Sequence, residues 1–492
     1  MSPLLFLVLP LLGQPFPSPS PREVVLKVYL ILPLALLCAS CGVHSPGSRM
    51  EEVGKVPGRW SATPQARKGI DDKWVERFGG RDLKALVAEA YESNRDLQAA
   101  AARVERVAVL AKAAGAEARP QLNAALTGSR DKRNFIGFPF GGGGVASNIN
   151  NSYGAQLSLS WELDLWGRIR AGQRAALADL EAQGQQYRAA RASLAAQVVR
   201  SWLLIAELNG QVELATQALK SRADTAESIR GRFENAVGGM QATASQVRLA
   251  QTDVETARAA LAGRRAERDQ ALRQLEVLLG RYPEAKLTGA SGLPAVRNMP
   301  PAGLPSELLL RRPDILAAER AMAAAGSRRK QAALAFFPSF SLTSSVGRSS
   351  EQLGDISNSD FGVWSIAGQM AQPILQGGRL KANLRARSAE EREALANLQQ
   401  VVLQGFSEVE VALGADSFFA TRTAALENAA ELARDAEQMA RSEFTNGTTD
   451  VLTLLEATGR RIELDSQVLA VRRLRLDNRI NLHLALGGDY KL

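Results

Sequence analysis

SYGAQLSLSWELDLWGR, residues 152–168, changes its period partway along. From Tyr153 the odd positions are Tyr153, Ala155, Leu157, Leu159, Trp161 and Leu163, while the even ones are Ser152, Gly154, Gln156, Ser158, Ser160, Glu162 and Asp164. This is a period-2 strand with one greasy face and one wet face. Tyr153 and Trp161 lie eight positions apart on the greasy face, which is about 26 Å along a strand, or about 20 Å once the strand tilts. Aromatics so spaced approximate the two girdles of an outer-membrane strand. After Trp166-Gly167-Arg168 the alternation stops, and the chain runs to Phe233 in Ala, Leu, Gln, Arg and Glu at helical spacing. A membrane-length strand therefore feeds a very long helix. Taken alone the stretch also suits half of a sandwich sheet, and the rest of the chain decides between the two.

Composition favours long packed helices. The 492 residues would fill about three ordinary domains by length, yet no break in composition divides them. Aromatics make up 5%, and there are two His and two Cys, which is not the usage of a pocketed enzyme. Only Pro120 and Pro139 interrupt residues 65–282, and no proline follows Pro373, so helices of many turns are permitted. The net charge of +9 is spread over Lys and Arg interleaved with Asp and Glu, the pattern of solvated helix faces and not of a nucleic-acid stripe. No mature segment offers 18 uncharged apolar residues, so a membrane crossing would have to be made by strands.

At the amino terminus, LKVYLILPLALLCASC (residues 26–41) is a short apolar run around Lys27, the pattern of an export signal. Residues 1–40 are read as this signal segment, with the Pro- and Ser-rich Met1 to Glu23 explained by a start codon assigned too early. The end of the run resembles the lipobox of bacterial lipoproteins, which implies lipidation of Cys41. Cys38 is the poorer choice because it follows the bulky Leu37. Gly42, where such lipoproteins carry Asp for inner-membrane retention, implies the outer membrane. Residues 41–70 are then expected to form a lipidated tether.

Beyond the tether the chain repeats itself. Asn94-Arg95-Asp96-Leu97 leads through an Ala-rich helix to Pro120, and Arg312-Pro313-Asp314-Ile315 leads through another to Pro338, with 24 residues from Asp to Pro both times. A strand follows each proline. Leu122, Ala124 and Leu126 alternate with Gln121, Asn123 and Thr127, with a slip at Ala125; Phe340, Leu342 and Val346 alternate with Ser339, Ser341, Thr343 and Ser345. A loop comes next, rich in glycine in the first half (Gly141–Gly144), and then a second strand. Trp364, Ile366, Gly368 and Met370 stand opposite Ser365, Ala367, Gln369 and Ala371. Phe233 and Phe444 each lie 65 residues past the Arg168 and Arg379 that open the long helices. Two repeats, 71–290 and 291–492, each of helix, two strands and two long helices, are expected.

Four strands cannot close a barrel, for which about eight are needed, and open edges are not tolerated in lipid. Copies must pool their strands: two would supply eight and three twelve. Val198, Ile205, Val212, Leu219, Ala226 and Phe233 recur at sevens, as do Val247, Val254, Leu261 and Leu275, and Leu455, Ile462, Leu469 and Leu476. These heptads predict coiled-coil seams. A helix of 65 residues reaches roughly 97 Å, which suits a tube crossing much of a periplasm.

Glu162-Leu-Asp-Leu-Trp-Gly-Arg168, Arg311-Arg-Pro-Asp-Ile315 with Ala317-Ala-Glu319, Pro373-Ile-Leu-Gln-Gly-Gly-Arg-Leu380 and Leu454-Leu-Glu-Ala457 together resemble the TolC-like outer-membrane efflux channels, in their lipoprotein branch. The resemblance runs from about Asp71 to Gly488. It implies an α+β membrane protein acting as a homotrimer: a 12-stranded transmembrane β-barrel, four strands per chain, continuous with a periplasmic α-helical coiled-coil barrel. It further implies a passive conduit for small molecules, served by a periplasmic adaptor (membrane fusion) protein and an inner-membrane efflux transporter, with no catalysis, cofactor or nucleic acid.

By the same resemblance an acidic ring at the tunnel's closed end falls on Glu456, with Asp450 nearer the tip as a second candidate; such rings select cations. Phe444 departs from the family, many members of which carry a Tyr whose hydroxyl ties the closed gate. Gly238, Gly239 and Gly447 suit the tight helix-to-helix tips, where adaptor helices dock in the family. His483 falls one heptad after Leu476 and is read as a seam residue, and no zinc spacing, phosphate loop or Ser/His/Asp set is present. A channel for type I protein secretion or metal-ion efflux is the alternative within the class. A non-channel periplasmic coiled-coil scaffold is the alternative outside it, and would need the heptads but not four strands with a lipid face.

Overall fold

In a computed structural model the structure describes residues 56–62, 73–135, 146–235, 242–287, 289–290, 292–296, 299–300 and 302–488. All belong to one compact unit, Glu52–Leu492. The signal segment, Cys41, the Gly141–Gly144 loop, Gly238 and Gly239 lie outside the described residues.

The elements in order are α1 (Glu76–Ser93), α2 (Arg95–Ala116), β1 (Gln121–Phe135), β2 (Ala146–Leu163), α3 (Arg168–Asn235), α4 (Ala244–Leu278), α5 (Pro305–Arg311), α6 (Pro313–Leu334), β3 (Ser339–Ser350), β4 (Gly362–Ala371), α7 (Arg379–Asn446) and α8 (Val451–Ala485). The period change is abrupt: β2 ends at Leu163 and α3 begins at Arg168. Asp164 makes the join, its carboxylate accepting the N–H groups of Ile169 and Arg170 at 3.0 and 2.9 Å. These are orphan donors of the first helical turn. α3 and α7 both span 68 residues, and α4 and α8 both span 35. At 1.5 Å per residue the longer pair reaches about 100 Å.

The four strands form one antiparallel sheet in the order β1-β2-β3-β4. Pairing is unbroken from Gln121↔Ser160 to Phe135↔Ala146, so the sequence irregularity at Ala125 is no bulge; Ala125 simply joins Gln156 on the wet face. The registers bring the alternating apolar positions of the four strands onto one side: Leu122, Leu159, Ser344 and Ile366 share a row, as do Ala124, Leu157, Val346 and Trp364. The other side carries Asn123, Ser158, Ser345 and Ser365 in one row, and Ser345 and Ser365 exchange a hydroxyl bond of 2.7 Å. Among the described residues no layer covers either face. Leu126 is 85% exposed and Trp364 76%.

Each half opens with two helices, not the single one expected. The break is a joint. Asn94 caps α2 by accepting the Leu97 N–H at 2.9 Å, and its amide donates to the last-turn carbonyl of α4, Leu278, at 2.9 Å. Arg312 stands at the corresponding place before α6 and donates to the Ala485 carbonyl of α8 at 3.1 Å. α2 thus continues α4 end to end, and α6 continues α8. The sharp exit from α8 needs Gly487 (φ 73), where a Cβ would lie 3.0 Å from the backbone of Arg311 and Arg312.

The main core sits at the level of these joints, where α1 packs on the middle of α3. Trp74, Leu83, Leu203, Ile205, Leu275 and Ile480 are fully buried there, each contributing about 1.5–3 kcal/mol. His483 is buried against the Trp74 ring at 5.6 Å. Trp60 is also buried, its indole N–H donating to the Ala302 and Gly303 carbonyls, and Glu410 accepts the N–H groups of Ser61 and Ala62 at 2.6 and 2.9 Å. This part of the expected tether is therefore held against the body of the chain.

The heptads need a correction. Val198, Ile205, Leu261, Leu275 and Leu476 are buried as expected, but Val212, Leu219 and Ala226 are only half-buried and Phe233 is 48% exposed. The buried stripe of lower α3 is Gln211, Ala218 and Thr225, one residue earlier. α3 has a neighbour on each side, α4 and α8, and a straight helix drifts against a strict seven-residue repeat.

Candidate functional site

The lower ends of the helices meet at two tips. α7 ends on Gly447 in the left-handed conformation (φ 77), a turn that α8 follows four residues later. Asp450 caps α8, accepting the Thr453 N–H and hydroxyl at 3.0 Å each, and these bonds hold its carboxyl below the usual range. It is committed to that cap. Glu456 is exposed on α8, with Arg460 one turn further along and also exposed.

Phe444 is buried between the two tips with Ile229, Ala250, Ala440, Val451 and Leu454. The Arg232 guanidinium lies 4.0 Å above its ring centroid and donates to its carbonyl at 2.8 Å. The phenyl face thus receives a cation, a contact worth about 0.5–2 kcal/mol according to its solvation. A cavity of about 160 Å³ opens here, lined by Arg232, Gln246, Phe444 and Asp450. The role of Arg232 was invisible in sequence, since nothing local distinguishes it from the other arginines of α3.

Above the tip the two hairpins differ. Glu437 and Arg461 form an ion pair in the α7–α8 seam; Arg461 also reaches Asp465 at 3.0 Å, and the Thr458 hydroxyl donates to Glu437 at 3.1 Å. The residues 211 earlier are Ala226, Ala250, Val254 and Val247. One seam is ionic where the other is apolar.

At the opposite end of the helices, where they meet the sheet, indoles mark the boundary. Trp161 donates to the Ala118 carbonyl at 3.0 Å, and Trp166 donates to Pro338 at 2.7 Å while lying 5.4 Å from the Phe337 ring. Among the described residues, no group of acids, His and Cys is placed to hold a metal ion, and no helix is long and apolar enough to cross a membrane.

A sheet greasy on one face and hydroxyl-lined on the other, continued by helices about 100 Å long, is a piece of the wall of a membrane conduit. A family model described as outer membrane efflux protein matches residues 86–281 and 304–488. The chain belongs to that family and is an outer-membrane channel component of an efflux system. It is 27% identical over 469 residues to the cation efflux system protein CusC of Escherichia coli O6:H1, covering 94% of this chain and 99% of that one. It is 30% identical to the toluene efflux pump outer membrane protein TtgF of Pseudomonas putida, covering 87% of each. Among solved structures, the open state of the Neisseria gonorrhoeae MtrE outer membrane channel superposes with a TM-score of 0.78 at 30% identity, covering 89% of this chain and 97% of that one.

Proposed function

We propose that one chain is a third of a passive conduit. Three copies, each two repeats of the same plan, pool their strands into a 12-stranded barrel and their helices into a periplasmic tunnel. The observation that carries this is the state of the edges. β1 and β4 end the sheet, and among the described long helices α4 runs along α3 and α7 runs along α8, α7 meeting α3 and α4 near the tips alone. Each layer therefore has one free edge from each half, and joining unlike edges head to tail closes a ring. α7 is prepared for this: Val411, Phe418, Leu432 and Met439 recur in heptad positions and are 65–77% exposed in the single chain.

Small molecules enter this conduit from a periplasmic adaptor and an inner-membrane transporter, which supply the energy and choose the cargo. The wet face of the sheet is uncharged through Gln121, Asn123, Thr127 and Ser129 and their partners Ser160, Ser158, Gly154 and Ser152; its charges stand at the two ends, Glu162 below, ion-paired with Arg168, and Asp131 and Arg133 above. Selection belongs to the tunnel end, with Glu456 as its acid. Planar-bilayer recording tests the reading: the purified protein should give discrete conductance steps, and a failure to conduct from intact trimers would end it. In the same recordings Glu456→Ala should lower the preference for cations, with Arg460 keeping the change modest. Unchanged reversal potentials in a salt gradient would remove Glu456 from the gate.

Lipidation at Cys41 adds an anchor to a protein whose barrel does most of the membrane holding. Cys41→Ser should leave a trimer that sorts less efficiently yet stays with the membrane fraction, whereas recovery wholly in the soluble periplasm would contradict this.

A further inference from the structure

The pairing of β1 with β2 continues seven residues past the last β2–β3 pair, from Ser152 to Ala146, so this hairpin stands above the rest of the sheet. Along it the outward positions, continuous with Leu122, Ala124 and Leu126, become Gly128, Arg130, Lys132 and Asn134. Asp131 and Arg133 alternate onto the lumen side. Arg130 and Lys132 are exposed, and among the described residues neither is paired with an acid. Arg348, on the same face, is engaged instead, donating to the Ile356 and Ser357 carbonyls at 3.1 and 2.7 Å.

Height decides what these two cations meet. Arg130 pairs with Asn151, ten residues from the lower-girdle Trp161, which is about 33 Å along a tilted strand and about 25 Å along the membrane normal. That is the height of the apolar band of an outer-membrane barrel. Arg130 therefore stands at the upper edge of the hydrocarbon and Lys132 about 5 Å above it, beside the apolar Ile149 with which it pairs. Long basic side chains cross such an edge with apolar stems and charged heads. Guanidinium and ammonium groups at that level face headgroup phosphates.

Resting on the barrel reading, we propose that Arg130 and Lys132 form an outward-facing docking surface for the phosphate groups of outer-leaflet lipids, repeated once per copy around the barrel. The test is retention of lipid by purified trimers in phosphatidylcholine nanodiscs doped with a bis-phosphorylated glycolipid or its dephosphorylated form, counted by native mass spectrometry. Wild type should prefer the phosphorylated form. R130Q/K132Q should lose about five-fold in affinity per cation removed, while D131N, on the other face, should lose nothing. Equal retention by wild type and the double variant overturns the proposal. So does displacement of the lipid by millimolar inorganic phosphate, which would mark a free-anion site. Conductance in planar bilayers, expected to be the same for wild type and R130Q/K132Q, separates failure of this proposal from failure of the barrel reading.

Discussion

Phe418→Glu combined with Leu432→Glu should yield a chain that keeps its helicity and is recovered from detergent as a monomer. Both side chains lie on the free face of α7, 77% and 71% exposed, so within one chain the substitutions disturb no packing. In the proposed ring they would face the next copy. Burying a Phe and a Leu stabilises an interface by about 3–6 kcal/mol, and losing even the lower figure weakens each contact by more than about a hundred-fold. Burying carboxylates there costs more still. Light scattering after size exclusion reads the outcome, and circular dichroism checks the fold. An unaltered trimer would show that α7 is not the joining edge.

Arg312→Met should be the most damaging single change within a chain. Arg312 is 6% exposed, and its guanidinium donates to both carboxylate oxygens of Asp314 at 3.0 and 2.6 Å, to Glu408 at 2.7 Å and to the Ala485 carbonyl. Burial alone would make it easier to deprotonate, but the Asp314 and Glu408 carboxylates outweigh that and hold its pKa above the ordinary value. Breaking a buried pair by removing one partner costs about 3–5 kcal/mol. Asp314 and Glu408 are each about two-fifths exposed and can rehydrate, which places the loss near the lower figure. Arg312→Lys keeps the charge but not the fork, and should fall between. Hydrogen exchange over residues 478–488 should speed up in step with the drop in melting temperature. A variant with wild-type exchange there would show that the joint does not depend on this residue.

The contrast between Arg312 and the heptads shows what a sequence carries and what it hides. Side-chain alternation on β1 to β4 was legible because every strand has one apolar face, and the registers needed only to align what each strand already stated. The switch at Trp166-Gly167-Arg168 was legible because period 2 cannot be mistaken for period 3.6 over so long a run. Seam positions were not, because several buried residues are polar: Gln211, Thr225, Asp416, Thr423, Thr458 and Asp465. Hydropathy then points to the flanking positions. Arg312 stood in a quoted motif, yet its partners Glu408 and Ala485 lie 96 and 173 residues away, which no local pattern encodes. Trp60 offered one faint signal, a lone indole in a segment otherwise rich in Gly, Pro, Ser and charge.

The end-to-end joints at Asn94 and Arg312 give each chain two kinds of strut. α3 and α7 run through as unbroken beams, while the struts between them are each spliced from two pieces held by side-chain bonds. A beam resists bending along its whole length; a splice yields at one height. In the proposed pipe the splices would be the compliant height, and the unbroken α3 and α7 that cross it would limit how far the sections above and below can bend.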